Sequence, residues 1–258
     1  MDSWDPTQYG KFADARLRPA LDLLAQVDLV EPAAIYDLGC GTGRMTDLLA
    51  RRWPDARVTG IYSSPAMLAA ARRDFPGQSF IEADLQNWAA ETPADLLFSN
   101  AALQWLDHHE RLFPRLLRQV RPGGRLAVQM PRNHDQTSHQ AMLAAAEAGP
   151  WRDRLKPLLR RSPVAPSETY YALLASDARH VDIWETTYLH VLSGENPVAE
   201  WTKGTALKPL LDALEGSMRE DFGAAYRARV AAAYPQAADG RTPFPFRRLF
   251  IVAERGHN

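Results

Sequence analysis

The chain has a single cysteine, Cys40, so no disulfide can form within it, and a reducing compartment suits it. No apolar run approaches the ~20 residues that span a bilayer. Nor does one sign of charge prevail: 30 basic residues against 31 acidic leave a net charge of −1, which gives no global field to draw nucleic acid or a membrane surface. The opening stretch MDSWDPTQYGKF lacks a basic segment followed by an apolar core, so no secretory signal is expected. Repeats and low-complexity segments are missing as well. The seven histidines never stand at i, i+4, with His108 and His109 adjacent and His134 and His139 five apart, so no metal site is expected. His190, inside a strand pattern, reads as structural. A cytoplasmic enzyme is the expectation, monomeric or a small homo-oligomer. Its length of 258 residues fits one large domain or a domain with a sizeable insertion.

What is present is a rhythm of short apolar runs and helical patterns from Ala33 to Met130. AIYDL (34–38), ARVTGIY (56–62), QSFIEAD (78–84), ADLLFSN (94–100) and GRLAVQM (124–130) read as five strands. Helices are expected around 43–52, after Ser64-Pro65, and near 108–120, the last closed by the turn RPGG (121–124). Strand–helix alternation at this spacing implies β-α-β units and a doubly wound, Rossmann-like α/β fold with a mostly parallel sheet. After Met130 the rhythm changes. Residues 131–178 hold helical patterns and four prolines. HVDIWETTYLHVL (180–192) and FRRLFIVAER (246–255) read as two late strands, with helical patterns at 197–215 and 217–234 and a loop at 234–245. The expected organisation is a helical lid (1–32), a core (33–130), and a helical cap with the last two strands (131–258), in one compact unit.

The stretch DLGCGTG, Asp37 to Gly43, is the richest in chemistry. A phosphate-binding loop needs a lysine after its last glycine, where Arg44 stands, and a longer spacing. The dinucleotide fingerprint needs its third glycine one residue beyond Gly43. The stretch instead resembles the cofactor motif of class I S-adenosylmethionine-dependent methyltransferases. In that family Gly39 and Gly41 let the backbone approach the methionine part of the cofactor. Asp84 and Leu85 correspond to the adenine contact after the third strand. Asn100-Ala101-Ala102-Leu103 and Gln104 follow the fourth strand, where the chain passes the methionyl ammonium and the reactive methyl. Family members that methylate amino groups carry two prolines and an aromatic there, so methylation of a nucleobase or amide nitrogen is not expected. One position departs from the pattern. Tyr62 stands where the family places an acid on both ribose hydroxyls, and a phenol offers no charge-assisted acceptor pair.

Beyond the cofactor half, WDPTQYGKFADARLRPALDLL, SSPAML, NAALQWL, LAVQMPRN, VDIWETTYLH and PFRRLFIVA resemble the trans-aconitate 2-methyltransferase family. The resemblance implies S-adenosylmethionine as cofactor and a carboxylate of a small tricarboxylate as methyl acceptor. A carboxylate is ionised at neutral pH and needs no general base. No acid/base dyad is therefore expected, and catalysis would come from alignment. Trp105, with Tyr9 and Phe12 on the lid, are candidate walls. Arginine grips carboxylates in a planar, bidentate way, which makes Arg132, Arg179, Arg247 and Arg248 candidates, with Tyr170 and Tyr171 as hydroxyl donors. Methylation of another small acid or a hydroxyl, and cofactor binding without turnover, remain as rival readings.

Overall fold

The computed structural model describes residues 13–159 and 164–257. Tyr9 and Phe12 lie outside these residues, as do all of residues 1–12 of the expected lid. Numbered in chain order among the described residues, the helices of the core are α1 (Ala13–Ala25), α2 (Arg44–Arg52), α3 (Pro65–Asp74) and α4 (His109–Arg118). Its strands are β1 (Ala34–Leu38), β2 (Arg57–Tyr62), β3 (Ser79–Glu82), β4 (Ala94–Asn100) and β5 (Val120–Pro131). Then follow α5 (Thr137–Glu147), α6 (Arg152–Leu155), α7 (Ser167–Leu174), β6 (Ala178–Leu192), α8 (Pro197–Lys203), α9 (Lys208–Asp212), α10 (Gly216–Ala233) and β7 (Thr242–Arg255).

The seven strands form one sheet in the order β3-β2-β1-β4-β5-β7-β6. β1 to β5 are parallel, and β7 runs antiparallel to both β5 and β6. Every residue of β1 is buried, as a strand covered on both faces must be. One face carries Ile35, Leu96, Phe98, Ala127 and Val252, packed against Leu23 and Val27 of the N-terminal segment and Leu49 of α2. The other face carries Leu97, Leu126, Leu249 and Ala253 under α4 and α7. α3 starts as its sequence suggests: the Ser64 hydroxyl accepts from Met67 N at 3.5 Å, with Pro65 in the first turn. The cap has an apolar centre of its own, in which Trp151, Trp201, Phe222, Tyr226 and Phe244 meet.

Three boundaries differ from the sequence expectation. RPGG is not a turn before β5 but part of it. Gly124 fits there because a Cβ would come within 2.7 Å of the Asp95 carbonyl oxygen, and the ladder shifts register between Ala94 and Leu96. The expected loop 234–245 gives up its last residues to β7, despite Pro243 and Pro245. Both prolines lie past the end of β5, whose last pair with β7 is Pro131–Arg248. They have the parity of Arg247, whose N–H faces Asn133 Oδ1 at 2.8 Å on the β5 side, so no bond to β6 is lost. The pattern at 197–215 is broken into α8 and α9.

Candidate functional site

The C-terminal ends of β1, β2, β3 and β4 lie side by side, and the order reverses between β1 and β4, the usual place for a ligand in an open α/β sheet. Asp37, Gly39, Gly41 and Gly43 stand at the end of β1, Tyr62 at the end of β2, Asp84 and Leu85 after β3, and Asn100 and Gln104 after β4. The sequence-predicted cofactor residues thus occupy one rim.

The turn after β1 is tied to its neighbour, with Gly39 N and Cys40 N both donating to Ile61 O at 2.8 and 3.1 Å. All three glycines have positive φ, +83°, +56° and +83°. They differ in what their missing side chain makes room for. A Cβ at Gly39 would lie 2.1 Å from that of Ala102, and one at Gly43 would lie 2.7 Å from Phe80. At Gly41 the nearest atom would be Met67 Cε at 3.7 Å. Two of the glycines therefore serve packing, and Gly41 alone leaves its side open. Asp37 is 2% exposed and accepts from Thr46 Oγ1 at 2.7 Å. Burial pushes its carboxyl up to about 7, against the hydrogen bond from Thr46. Burial also pushes the Cys40 thiol above its usual range, with the Asp37 charge adding to it. Cys40 is a packing residue of the turn.

On the β4 side Ala101 has φ +54°, a strained value for alanine. It is held by Ala101 N donating to Gln129 O at 2.9 Å and by Gln104 Nε2 donating to Ala101 O at 2.7 Å. Asn100 Oδ1 and Gln104 Oε1 are buried with no hydrogen-bond partner. These orphaned acceptors suit a bound ammonium. Tyr62 is half-buried against Cys40, Leu68, Ala71 and Phe80. Asp84 is exposed and caps its own turn, accepting from Gln86 N at 2.9 Å. Leu85 is buried beneath that turn. The sequence reading missed Arg115. It reaches from α4 to donate to the carbonyls of Leu85 and Gln86 at 2.8 and 3.0 Å and to that of Trp88, which fixes the turn beside the expected adenine.

The arginines separate cleanly. Asn100 pairs with Gln129, Gln129 with Phe250, and Pro131 with Arg248. Paired residues share a face and the period is two, so Arg248 lies on the face of Asp37 and Asn100. It is 3% exposed, donates from Nη1 to Gln129 Oε1 at 3.3 Å and sits 4.7 Å over the Phe246 ring. Arg132 and Arg247 belong to the opposite face. Arg132 Nη1 meets Glu185 Oε1 at 2.5 Å, and Arg247 is paired with Asp135 and lies 3.6 Å from Glu185 Oε2. Arg179 pairs with Glu254 near the start of β5, at the far end of the sheet.

The remaining expected residues need correction or placing. Tyr170 is fully buried. Its hydroxyl meets His109 Nδ1 at 2.7 Å and accepts from Ala165 N at 3.2 Å. It is a core residue locking α7 to α4, not a donor open to substrate. Tyr171 is 57% exposed on α7. Trp105, 37% exposed, ends a 3-10 turn over Leu103–Trp105 that follows the strained Ala101. His190 stacks on Trp201 at 4.5 Å, the structural role expected of it. Among the described residues no three His, Cys, Asp or Glu side chains gather to hold a metal ion, and no helix is long and apolar enough to cross a membrane.

Comparison with known proteins adds to this geometry. A family described as a methyltransferase domain matches residues 35–124. A trans-aconitate 2-methyltransferase of Methylobacterium nodulans is 50% identical over 256 residues, covering 99% of this chain and 99% of that protein. One of Azoarcus sp. (strain BH72) is 49% identical over 255 residues, 99% of this chain and 100% of that protein. Among solved structures, a putative sarcosine dimethylglycine methyltransferase from Galdieria sulphuraria matches with a TM-score of 0.58 at 12% identity, covering 98% of this chain and 92% of that one. A Haemonchus contortus phosphoethanolamine N-methyltransferase in complex with S-adenosyl-L-methionine matches at 0.55 and 16%, covering 93% of this chain and 53% of that one.

Proposed function

The chain belongs to the trans-aconitate 2-methyltransferase family, and on that premise we propose that it transfers a methyl group from S-adenosylmethionine to a carboxylate of trans-aconitate, giving a monomethyl ester. The observation that carries this reading is the extent of the likeness. About half the residues are identical over an alignment that covers 99% of the chain.

The residues at the rim fit the cofactor. Gly41 leaves open the space a ligand would need, and the buried, partnerless Asn100 Oδ1 offers an acceptor to an ammonium. The turn Gly39–Gly43, Tyr62, Asp84, Leu85, Asn100 and Gln104 would hold it. When bound, the cofactor supplies an electrophilic methyl on a positively charged sulfur. The chain then has to bring a carboxylate oxygen in line with that methyl and keep water away. The acceptor is anionic at neutral pH, so no side chain need take a proton. Charge is lost as the reaction proceeds, and a dry aromatic wall favours such a step. Trp105 beside the β4 end, with Tyr9 from the N-terminal segment, would form that wall. Arg248 would grip a carboxylate, and Arg132, paired with Glu185 on the opposite face of the sheet, would not. Under this reading residues 1–32 would serve as the lid, 33–130 as the cofactor core and 131–258 as the cap with the last strands, in a cytoplasmic enzyme.

A methyl-transfer assay with trans-aconitate, cis-aconitate, citrate and isocitrate in parallel tests the reading. Turnover is expected with trans-aconitate above the others. Binding of S-adenosylhomocysteine without turnover on any of the four acids would refute it.

A further inference from the structure

Gln129 is buried at the end of β5 with no exposure at all. It stands in register with Asn100 of β4 on one side and Phe250 of β7 on the other. Its side chain therefore shares the face of Asp37, Asn100 and Arg248. Oε1 accepts from Arg248 Nη1 at 3.3 Å. A guanidinium carries only donors, so this contact decides which end of the amide meets it. Nε2 is left as a donor, and it has no hydrogen-bond partner. Asn100 Oδ1, on the neighbouring strand, is an acceptor in the same state. Donor and acceptor are complementary, yet they do not bond to each other. A buried amide that served only to fill space would leave a donor unpaired where a methionine would not. The amide is placed to meet a ligand atom.

We propose that Gln129 is a specificity residue for the methyl acceptor, forming with Arg248 a guanidinium–amide clamp on the carboxylate that is not methylated. The proposal rests on the function given above. Nη atoms of Arg248 and Nε2 of Gln129 would share the two oxygens of one carboxylate. That carboxylate cannot be the reacting one, because an oxygen whose lone pairs are held by a guanidinium is a poor nucleophile. The clamp therefore selects acids with at least two carboxylates: one is held and another is free to attack. A monocarboxylic acid caught in it would present no nucleophile.

The test uses the whole protein and two variants, Gln129→Glu and Gln129→Met. The first keeps the shape and the contact to Arg248, and replaces only the donor by a charged oxygen. The second keeps the volume and removes both polar atoms. Each is melted to confirm folding and titrated with S-adenosylhomocysteine, and its complex is then titrated with trans-aconitate. The expected result is unchanged S-adenosylhomocysteine affinity with trans-aconitate weakened at least about tenfold in both, about 1.4 kcal/mol, and more in Gln129→Glu. KM for trans-aconitate should rise with it while kcat at saturation falls less. Unchanged trans-aconitate affinity in both variants overturns the clamp and leaves the function standing. Loss of S-adenosylhomocysteine affinity instead would put Gln129 on the cofactor and also overturn it. If the unmodified complex binds neither trans-aconitate nor any other di- or tricarboxylate, the function itself fails and the clamp with it.

Discussion

Gly39 and Gly41 are two residues apart in the turn after β1, and alanine at either position should do opposite things. Both have positive φ, so each substitution pays about 1–2 kcal/mol for a left-handed alanine. At Gly41 that is the main effect on stability, because the new methyl would lie 3.7 Å from Met67 Cε, an ordinary contact. At Gly39 the methyl would fall 2.1 Å from the Cβ of Ala102. Neither atom can rotate away, since each is fixed to backbone, and the segment holding Ala102 is tied down by the bond from Ala101 N to Gln129 O. Overpacking of this kind costs about 1–3 kcal/mol more. Gly39→Ala should therefore lose roughly 2–5 kcal/mol in all, a large part of a typical domain's stability.

Binding should follow the reverse order. Gly41→Ala should fold and melt only a few degrees early, roughly 2–8 °C at this chain length, yet lose S-adenosylhomocysteine, because its methyl enters the one open side of the turn. Thermal melts and calorimetric titration of both variants give the two readings side by side. Parent-like affinity in Gly41→Ala would show that the ligand does not approach this turn. A Gly39→Ala protein as stable as Gly41→Ala would show that Ala102 yields more easily than its backbone contacts imply.

Three other outcomes are expected. The Asp37 carboxyl is held near 7 when folded, above its ordinary 3.8. Between these values the folded protein therefore keeps a proton that the unfolded chain has lost, and stability without cofactor should fall as pH rises from about 4 to 7, by at most about 4 kcal/mol. Asp37→Asn should flatten that dependence in denaturant unfolding, and parallel curves would refute the assignment. Tyr62→Asp should tighten S-adenosylmethionine by roughly 1–3 kcal/mol if the ribose hydroxyls lack charged acceptors. Equal affinities by calorimetry would mean that another residue already holds the ribose. The rate of methyl transfer should be nearly flat above about pH 6, because a carboxylate acceptor is already ionised there. A steep rise between pH 7 and 9 would demand a base or a hydroxyl acceptor.

The parallel half of the fold was legible because its strands are short, buried on both faces and bounded by strong punctuation. AIYDL, Arg57–Tyr62 and ADLLFSN appear in the structure almost as they read. The errors fall where tertiary contacts overrule local chemistry. Pro122, Gly123 and Gly124 have the composition of a turn, yet they are part of β5, where a side chain on Gly124 would collide with the Asp95 carbonyl. Pro243 and Pro245 resemble a loop, and they are tolerated because β5 has ended beside them. Tyr170 and Tyr171 are indistinguishable in sequence, yet one is fully buried and the other 57% exposed. Only the phase of α7 against α4 separates them. Arg115 gave no signal, because an arginine that caps carbonyls of another segment looks like any helix-surface arginine.

The arginines show most clearly what pattern alone leaves open. Arg247 and Arg248 are neighbours in a strand, so period two guarantees that one faces each side of the sheet. Nothing local says which. The answer lies in long-range register: Gln129 opposite Phe250 and Asn100 opposite Gln129 carry the parity from β4 across β5 to β7. A slip of one residue would exchange the two arginines. As built, Arg247 is taken up with Asp135 and Glu185, which also engages Arg132. Arg248 is set among the Phe246 ring, the Tyr188 ring and a neutral amide. A guanidinium taken up by fixed carboxylates has little left for an incoming one. The register of β7 thus assigns one arginine to holding the sheet together, and sets the other on the face of Asp37 and Asn100.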